Sequence, residues 1–100
     1  MYVIHNRINV AAPAAAFESA FVDSMRTTLA GVPGLLRSTL LKPAGPDQPY
    51  VSTMEFDSKE SFLAWMRSDS FKAAHSDTQA PGMQAPSAIE SFTMIEDVHP

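Results

Sequence analysis

The chain has 100 residues, a formal net charge of −4 and no cysteine; 45% of its residues are hydrophobic and 18% are charged. With so few bases, none of them in a run, a nucleic-acid footprint is excluded, and the absence of cysteine rules out disulfides, thiolate metal sites and a Cys nucleophile. The size suits a single domain over residues 1–100, with a core modest enough for a second copy of the chain to be a natural supplement.

Residues 2–10, YVIHNRINV, alternate. Tyr2, Ile4, Ile8 and Val10 share one side and Val3, His5, Arg7 and Asn9 the other, which predicts a strand. The segment has no basic start followed by an apolar block, so it does not read as a signal peptide. No apolar run approaches the roughly 20 residues that span a bilayer. A cytoplasmic protein that binds neither membrane nor nucleic acid is therefore expected. Pro13 suits the first turn of a helix. Phe17, Phe21, Met25 and Leu29 then follow at steps of four, drawing one apolar stripe through residues 13–30. Gly31 and Pro33 end that helix.

Residues 34–42, GLLRSTLLK, predict a second strand, PAGPDQP a turn, and YVSTMEF over 50–56 a third strand paired with the second. Asp57 followed by Glu60 predicts an N-cap and a helix to about Arg67. Ser68, Asp69 and Ser70 interrupt it and start a second short helix through His75. SDTQAPGMQAPS over 76–87 is a polar loop, and AIESFTMIEDV over 88–98 the last strand. The order strand, helix, strand, strand, helix, strand is the α+β ferredoxin-like βαββαβ plan, an antiparallel sheet with helices on one face. The other face needs a cover. A homodimer supplies one, closing on strand residues such as Val3, Val51 and Phe92 or, in the other register, their opposite-face neighbours.

Three residues stand out for chemistry. Asn6 shares the apolar side of the first strand. A carboxamide there is either a core amide satisfied by neighbouring backbone or a donor aimed into a ligand cavity. Phe71, Ala74 and His75 lie on one helix face, with Phe71 as inward anchor. His75 then points inward or along a pocket edge, as a structural histidine or as a ligand. No second histidine or cysteine is spaced to build a zinc site, whereas one imidazole suffices for a haem iron. Trp65, three residues after Phe62, faces the core, where a lone tryptophan is ordinarily packing.

Taken together, Asn6, Trp65 and His75 resemble the Asn/Trp/His triad of the IsdG-type haem-degrading monooxygenases, a branch of the antibiotic biosynthesis monooxygenase superfamily of dimeric ferredoxin-like barrels. VPGLLRSTLLKP and EFDSKESFLAWMRSDSFKAAH resemble the superfamily's blocks around its second and third strands, so the likeness covers nearly the whole chain. The resemblance implies a dimeric α+β barrel in which haem is both cofactor and substrate. His75 would be the axial ligand of the haem iron, Asn6 a distal donor toward bound oxygen, and Trp65 a wall pressing the macrocycle out of plane. Val22, Met25 and Arg26 of the first helix, with Phe71, would stand beside the haem, in a region where some members carry arginines near the propionates. The activity implied takes O2 and electrons from an external reductant, opens the porphyrin and releases iron. Two alternatives stay open: a cofactor-free monooxygenase of the same superfamily acting on a polycyclic aromatic phenol, and a haem-binding protein without turnover.

Overall fold

The computed structural model describes residues 1–11, 13–74 and 88–100. Alternation over the N-terminal residues produces strand β1 (Tyr2–Ile8), followed by helix α1 (Ala15–Thr28), strands β2 (Leu35–Leu41) and β3 (Tyr50–Phe56), helices α2 (Lys59–Met66) and α3 (Asp69–Ala74), and strand β4 (Ala88–Thr93). The strands form one antiparallel sheet in the order β2-β3-β1-β4. This is the expected ferredoxin-like plan, with the second helix divided in two. The sheet of one chain is open, with β2 and β4 as its edges. Among the described residues no helix is long and apolar enough to cross a membrane.

Element ends differ from the sequence reading for local reasons. Helix α1 begins two residues after Pro13, because its first i to i−4 bond runs from Glu18 N to Ala14 O at 2.9 Å. Ser58, rather than Asp57, caps α2: its Oγ accepts from Ser61 N at 3.1 Å. Strand β4 stops at Thr93 instead of residue 98. Thr93 lies opposite Tyr2, the first residue of β1, so the chain beyond runs off the end of its partner with one further bond, Met94 N to Met1 O. The break between α2 and α3 is as expected from Ser68 to Ser70. Ser68 Oγ accepts from Phe71 N and donates to the Trp65 carbonyl, so one hydroxyl ends the first helix and starts the second. The loop over 76–87 and His75 lie outside the described residues.

Register decides what each face carries. Ile4 opposes Met54, Ile8 opposes Tyr50 and Tyr2 opposes Phe56, all on the helix side. That side holds two apolar clusters. One gathers Ile4, Met54, Phe56, Phe62 and Trp65, with Leu29, Leu35 and Phe71 against it. The other gathers Ile8, Phe17 and Tyr50, with Phe21 and Leu40 against it. Phe17, Phe56 and Ile8 are fully buried. Burying a side chain of this size contributes about 1.5–3 kcal/mol. The stripe on α1 therefore spans the sheet: Phe17 and Phe21 serve one cluster and Leu29 the other.

Candidate active site

Between the two clusters the floor of the sheet turns polar. Leu40, Ser52, Asn6 and Ile89 form one row across the four strands, each opposite the next. Ser52 is buried, and Asn6 is half-buried with its Oδ1 sealed from solvent. That oxygen has no hydrogen-bond partner among the described residues. Ser38 Oγ, one row away on β2 and opposite Met54, is in the same condition. An unmade bond at a buried polar atom costs about 1–3 kcal/mol, so two on one sheet face call for an explanation.

Helix α1 walls one side of this floor. Val22, Met25, Arg26 and Leu29 face Ser38 and Leu40 of β2 across an open cleft of about 710 Å³. The volume lies in the range of sites for small molecules and cofactors. Three of the residues expected beside a ligand, Val22, Met25 and Arg26, thus meet in one cleft. Arg26 is exposed, in the last turn of α1, and makes none of the described ion pairs.

Trp65 is placed differently. It is 6% exposed and belongs to the apolar cluster, with Phe71 meeting it edge-on at 5.0 Å between centroids and Phe56 at 5.9 Å. Its indole N–H donates to Ser70 Oγ at 3.2 Å, and Ser70 in turn donates to the Thr28 carbonyl at the end of α1. Trp65 lines a smaller hollow of about 250 Å³ against Ala30–Pro33, not the cleft over β2. The structure brings Trp65 and Phe71 together, and it places Asn6 on the floor between the clusters.

The charged groups that shape this end of the molecule tie α1 to the sheet. Tyr50 donates to Glu18 Oε2, and Lys42 Nζ stands 3.3 Å from the same oxygen. The Tyr50 hydroxyl, then Lys42, hold the Glu18 carboxyl below the usual carboxylate range, while donating that bond to the carboxylate raises the Tyr50 phenol. At the entry to α2 the Ser61 hydroxyl, then Ser58, lower the Asp57 carboxyl. Ser38 and Ser70 are the residues that sequence reasoning passed over. Parity marked Asn6 on its strand, but it could not mark Ser38, because leucines occupy both parities of LLRSTLL and the strand carries an irregularity between Leu35 and Arg37.

Residues 1–77 match the antibiotic biosynthesis monooxygenase family. The chain belongs to that family, and its fold is that of an ABM monooxygenase. Among solved structures, the chain is similar to the haem degrader MhuD from Mycobacterium tuberculosis with two haems bound in its active site. The two share 25% identity over 99% of this chain and 100% of that one, with a TM-score of 0.78. A MhuD variant holding two manganese protoporphyrin IX molecules per active site superimposes with a TM-score of 0.82 at 23% identity, over the full length of both chains. A variant of SnoaB, a cofactor-independent oxygenase from Streptomyces nogalater, is as similar at 25% identity, over 97% of this chain and 95% of that one, with a TM-score of 0.77. No curated protein sequence matches the chain significantly. The ABM fold is thus common to neighbours that bind haem and to one that works without a cofactor.

Proposed function

We propose that this ABM protein is a haem-degrading monooxygenase. The observation that carries the reading is Asn6, a half-buried carboxamide on the sheet floor between two apolar clusters, whose sealed Oδ1 has no partner among the described residues. A half-turn about its last torsion exchanges the oxygen for the NH2 group, so the position can present either an acceptor or two donors. A buried amide oxygen without a partner among the described residues fits a ligand whose polar centre lies over the floor. Haem, when bound, supplies the iron at which O2 is activated and the carbon skeleton that is opened. Asn6 donates a hydrogen bond where negative charge develops, a role for a preorganised donor in a site closed to water. Trp65 lines the neighbouring hollow rather than the cleft, so its part would be to stiffen the apolar cluster behind the site, braced by Phe71 and Ser70. His75 would hold the haem iron, and Val22, Met25 and Arg26 of α1 would hold the ring. The products are an open-chain tetrapyrrole and free iron, the electrons come from an external reductant, and the working unit is a cytoplasmic homodimer.

The likeness to SnoaB, equal in identity to that with MhuD, supports a second reading. In it the cleft holds a polycyclic phenol, and Asn6 orients a ring oxygen without any cofactor. The two separate cleanly. Hemin titrated into the purified protein should give a saturable Soret band, and adding a reductant in air should make it decay into bilin-like absorbance. A Soret band that persists returns the protein to haem carriage, and no saturable binding favours the phenol. His75→Ala should abolish axial ligation, since His5 lies on the opposite sheet face and His99 in the C-terminal tail. An unchanged hemin spectrum in that variant would remove His75 from the site.

A further inference from the structure

Strand β2 is an edge of the sheet, and the cleft beside α1 runs along it. Every residue from Leu35 to Leu40 lines that cleft, together with Met25 and Arg26 of α1. A cleft on one face of a strand is lined by alternate residues, so this one follows the free edge itself. Among the described residues β2 pairs with β3 alone, which leaves a row of outward N–H and C=O groups with no strand beside it.

The tail after β4 has complementary features. Residues 94–100, MIEDVHP, continue β4 past the sheet with Ile95 and Val98 uncovered. Seven extended residues span about 23 Å, the length of β2. His99 Nε2 stands 3.2 Å from Asp97 Oδ1, as i and i+2 neighbours do on one side of an extended backbone. The alternation of β4 carries into the tail. Ile89, Ser91 and Thr93 oppose Asn6, Ile4 and Tyr2 on the helix side, so Ile95 and Asp97 fall on that side and Glu96 on the other. The β2 edge offers one arginine to each side. Arg26 stands over the helix side and makes none of the described ion pairs. Arg37 lies on the far side, opposite Glu55, with its side chain 69% exposed. Within one chain the tail starts from the opposite edge, about 14 Å from β2 across three strand spacings, and runs off the end of the sheet.

We infer that residues 94–100 of a second copy add to the free edge of β2 as a fifth strand and complete the cleft, with Asp97 of the partner subunit facing Arg26 and Glu96 of the partner subunit facing Arg37. Main-chain bonds hold the joint, and the two charge pairs decide which side of the strand faces α1. The added strand widens the cleft floor by one spacing, about 4.8 Å, and brings Ile95 of the partner subunit to the apolar flank of α1. Each copy thereby walls the other's cleft. That the walled cleft takes haem rests on the function proposed above; the exchange of tails does not.

The test compares the full chain, a chain lacking residues 95–100, and the reversals Arg26→Asp and Asp97→Arg. In analytical ultracentrifugation the full chain should be a dimer, and either reversal should raise its dissociation constant about tenfold. The two reversals together should restore it. Hydrogen exchange read by mass spectrometry should find the β2 amides protected in the full chain and about tenfold faster without residues 95–100, with those of β1 unchanged. A monomeric full chain, a double reversal no better than the single ones, or β2 exchange equal in the two chains would overturn the inference. If β1 loosens as well, the shortened chain has lost its fold and the reversals alone decide. Hemin affinity should fall about tenfold in the shortened chain, the loss of one wall of the site. Unchanged affinity would remove the tail from the ligand site and overturn that part. A full chain that binds no hemin would end the haem reading and leave the tail exchange to be decided by the dimer and exchange measurements.

Discussion

Asn6 and Ser38 share one chemical condition, and the sequence revealed only one of them. Asn6 interrupts a clean alternation, Tyr2, Ile4, Ile8, so its parity places it on the helix side at once. Ser38 sits in LLRSTLL, where leucines occupy both parities and a register irregularity between Leu35 and Arg37 shifts the strand against β3. Parity cannot be counted through a bulge, so the face of Ser38 was legible only from the pairing. The buried oxygen of Asn6, without a partner among the described residues, leads to a specific expectation. Asn6→Ala should leave the thermal midpoint within a degree or two and preserve hemin binding, while slowing haem decay about 100- to 1000-fold. A destabilised variant with full turnover would make the amide ordinary packing. Glu18 and Tyr50 give the residue-scale pH dependence. The Glu18 carboxyl is depressed, so its contribution is present above the ordinary glutamate value and is lost as pH falls through the lowered one. The Tyr50 phenol is raised, so its contribution is present below the ordinary tyrosine value and is lost as pH climbs through the raised one. Tyr50→Phe removes the larger cause of the Glu18 shift. It should move acid unfolding, followed by circular dichroism, to higher pH, and an unchanged acid midpoint would show that the contact does not hold α1.

At the scale of elements, order and type were readable throughout the described residues, while ends were decided by single backbone bonds that no periodicity encodes. The entry to α2 shows this. Asp57 and Ser58 are both good caps, and Ser58 takes the role, its Oγ accepting from Ser61 N, while the Asp57 N–H bonds to the Gly34 carbonyl at 2.8 Å. That bond also brings Gly34 hard against the helix. With φ at +79°, an added Cβ would lie 2.5 Å from Ser61 Cβ and 2.8 Å from Asp57 Oδ1. Gly34→Ala combines a left-handed conformation, about 1–2 kcal/mol, with a clash of about 1–3 kcal/mol. Its thermal midpoint should fall by more than about 10 °C. Gly31, at φ +74° but facing open space, should incur only the first cost on the same change. Equal losses at the two positions would show that the β2–α2 contact is looser than drawn. Division of the second helix was legible because Ser68, Asp69 and Ser70 are cap residues. Ser70's bond to the Thr28 carbonyl, which ties α3 to α1 and braces Trp65, links residues 42 apart in sequence and had no local signal.

For the molecule as a whole, the sheet face away from the helices is the unfinished part. Val3 opposes Phe92, which is 44% exposed and meets His5 at 5.1 Å, while Arg7 pairs with Glu90 and Arg37 with Glu55. The tail after β4 leaves Ile95 96% exposed and Val98 72% exposed. An apolar centre framed by paired charges and followed by an apolar arm suits closure against a second copy. Light scattering should give twice the monomer mass at micromolar concentration, and Phe92→Asp should halve it; a monomeric wild type would remove the dimer from the account. The most direct test of the central claim is competition in one vessel. The purified protein receives equal hemin and polycyclic phenol, with a reductant, in air. Mass spectrometry and a ferrous chelator then follow both molecules. The account predicts loss of haem, an open-chain tetrapyrrole, chelatable iron and an untouched phenol. Intact haem beside an oxygenated phenol would contradict it.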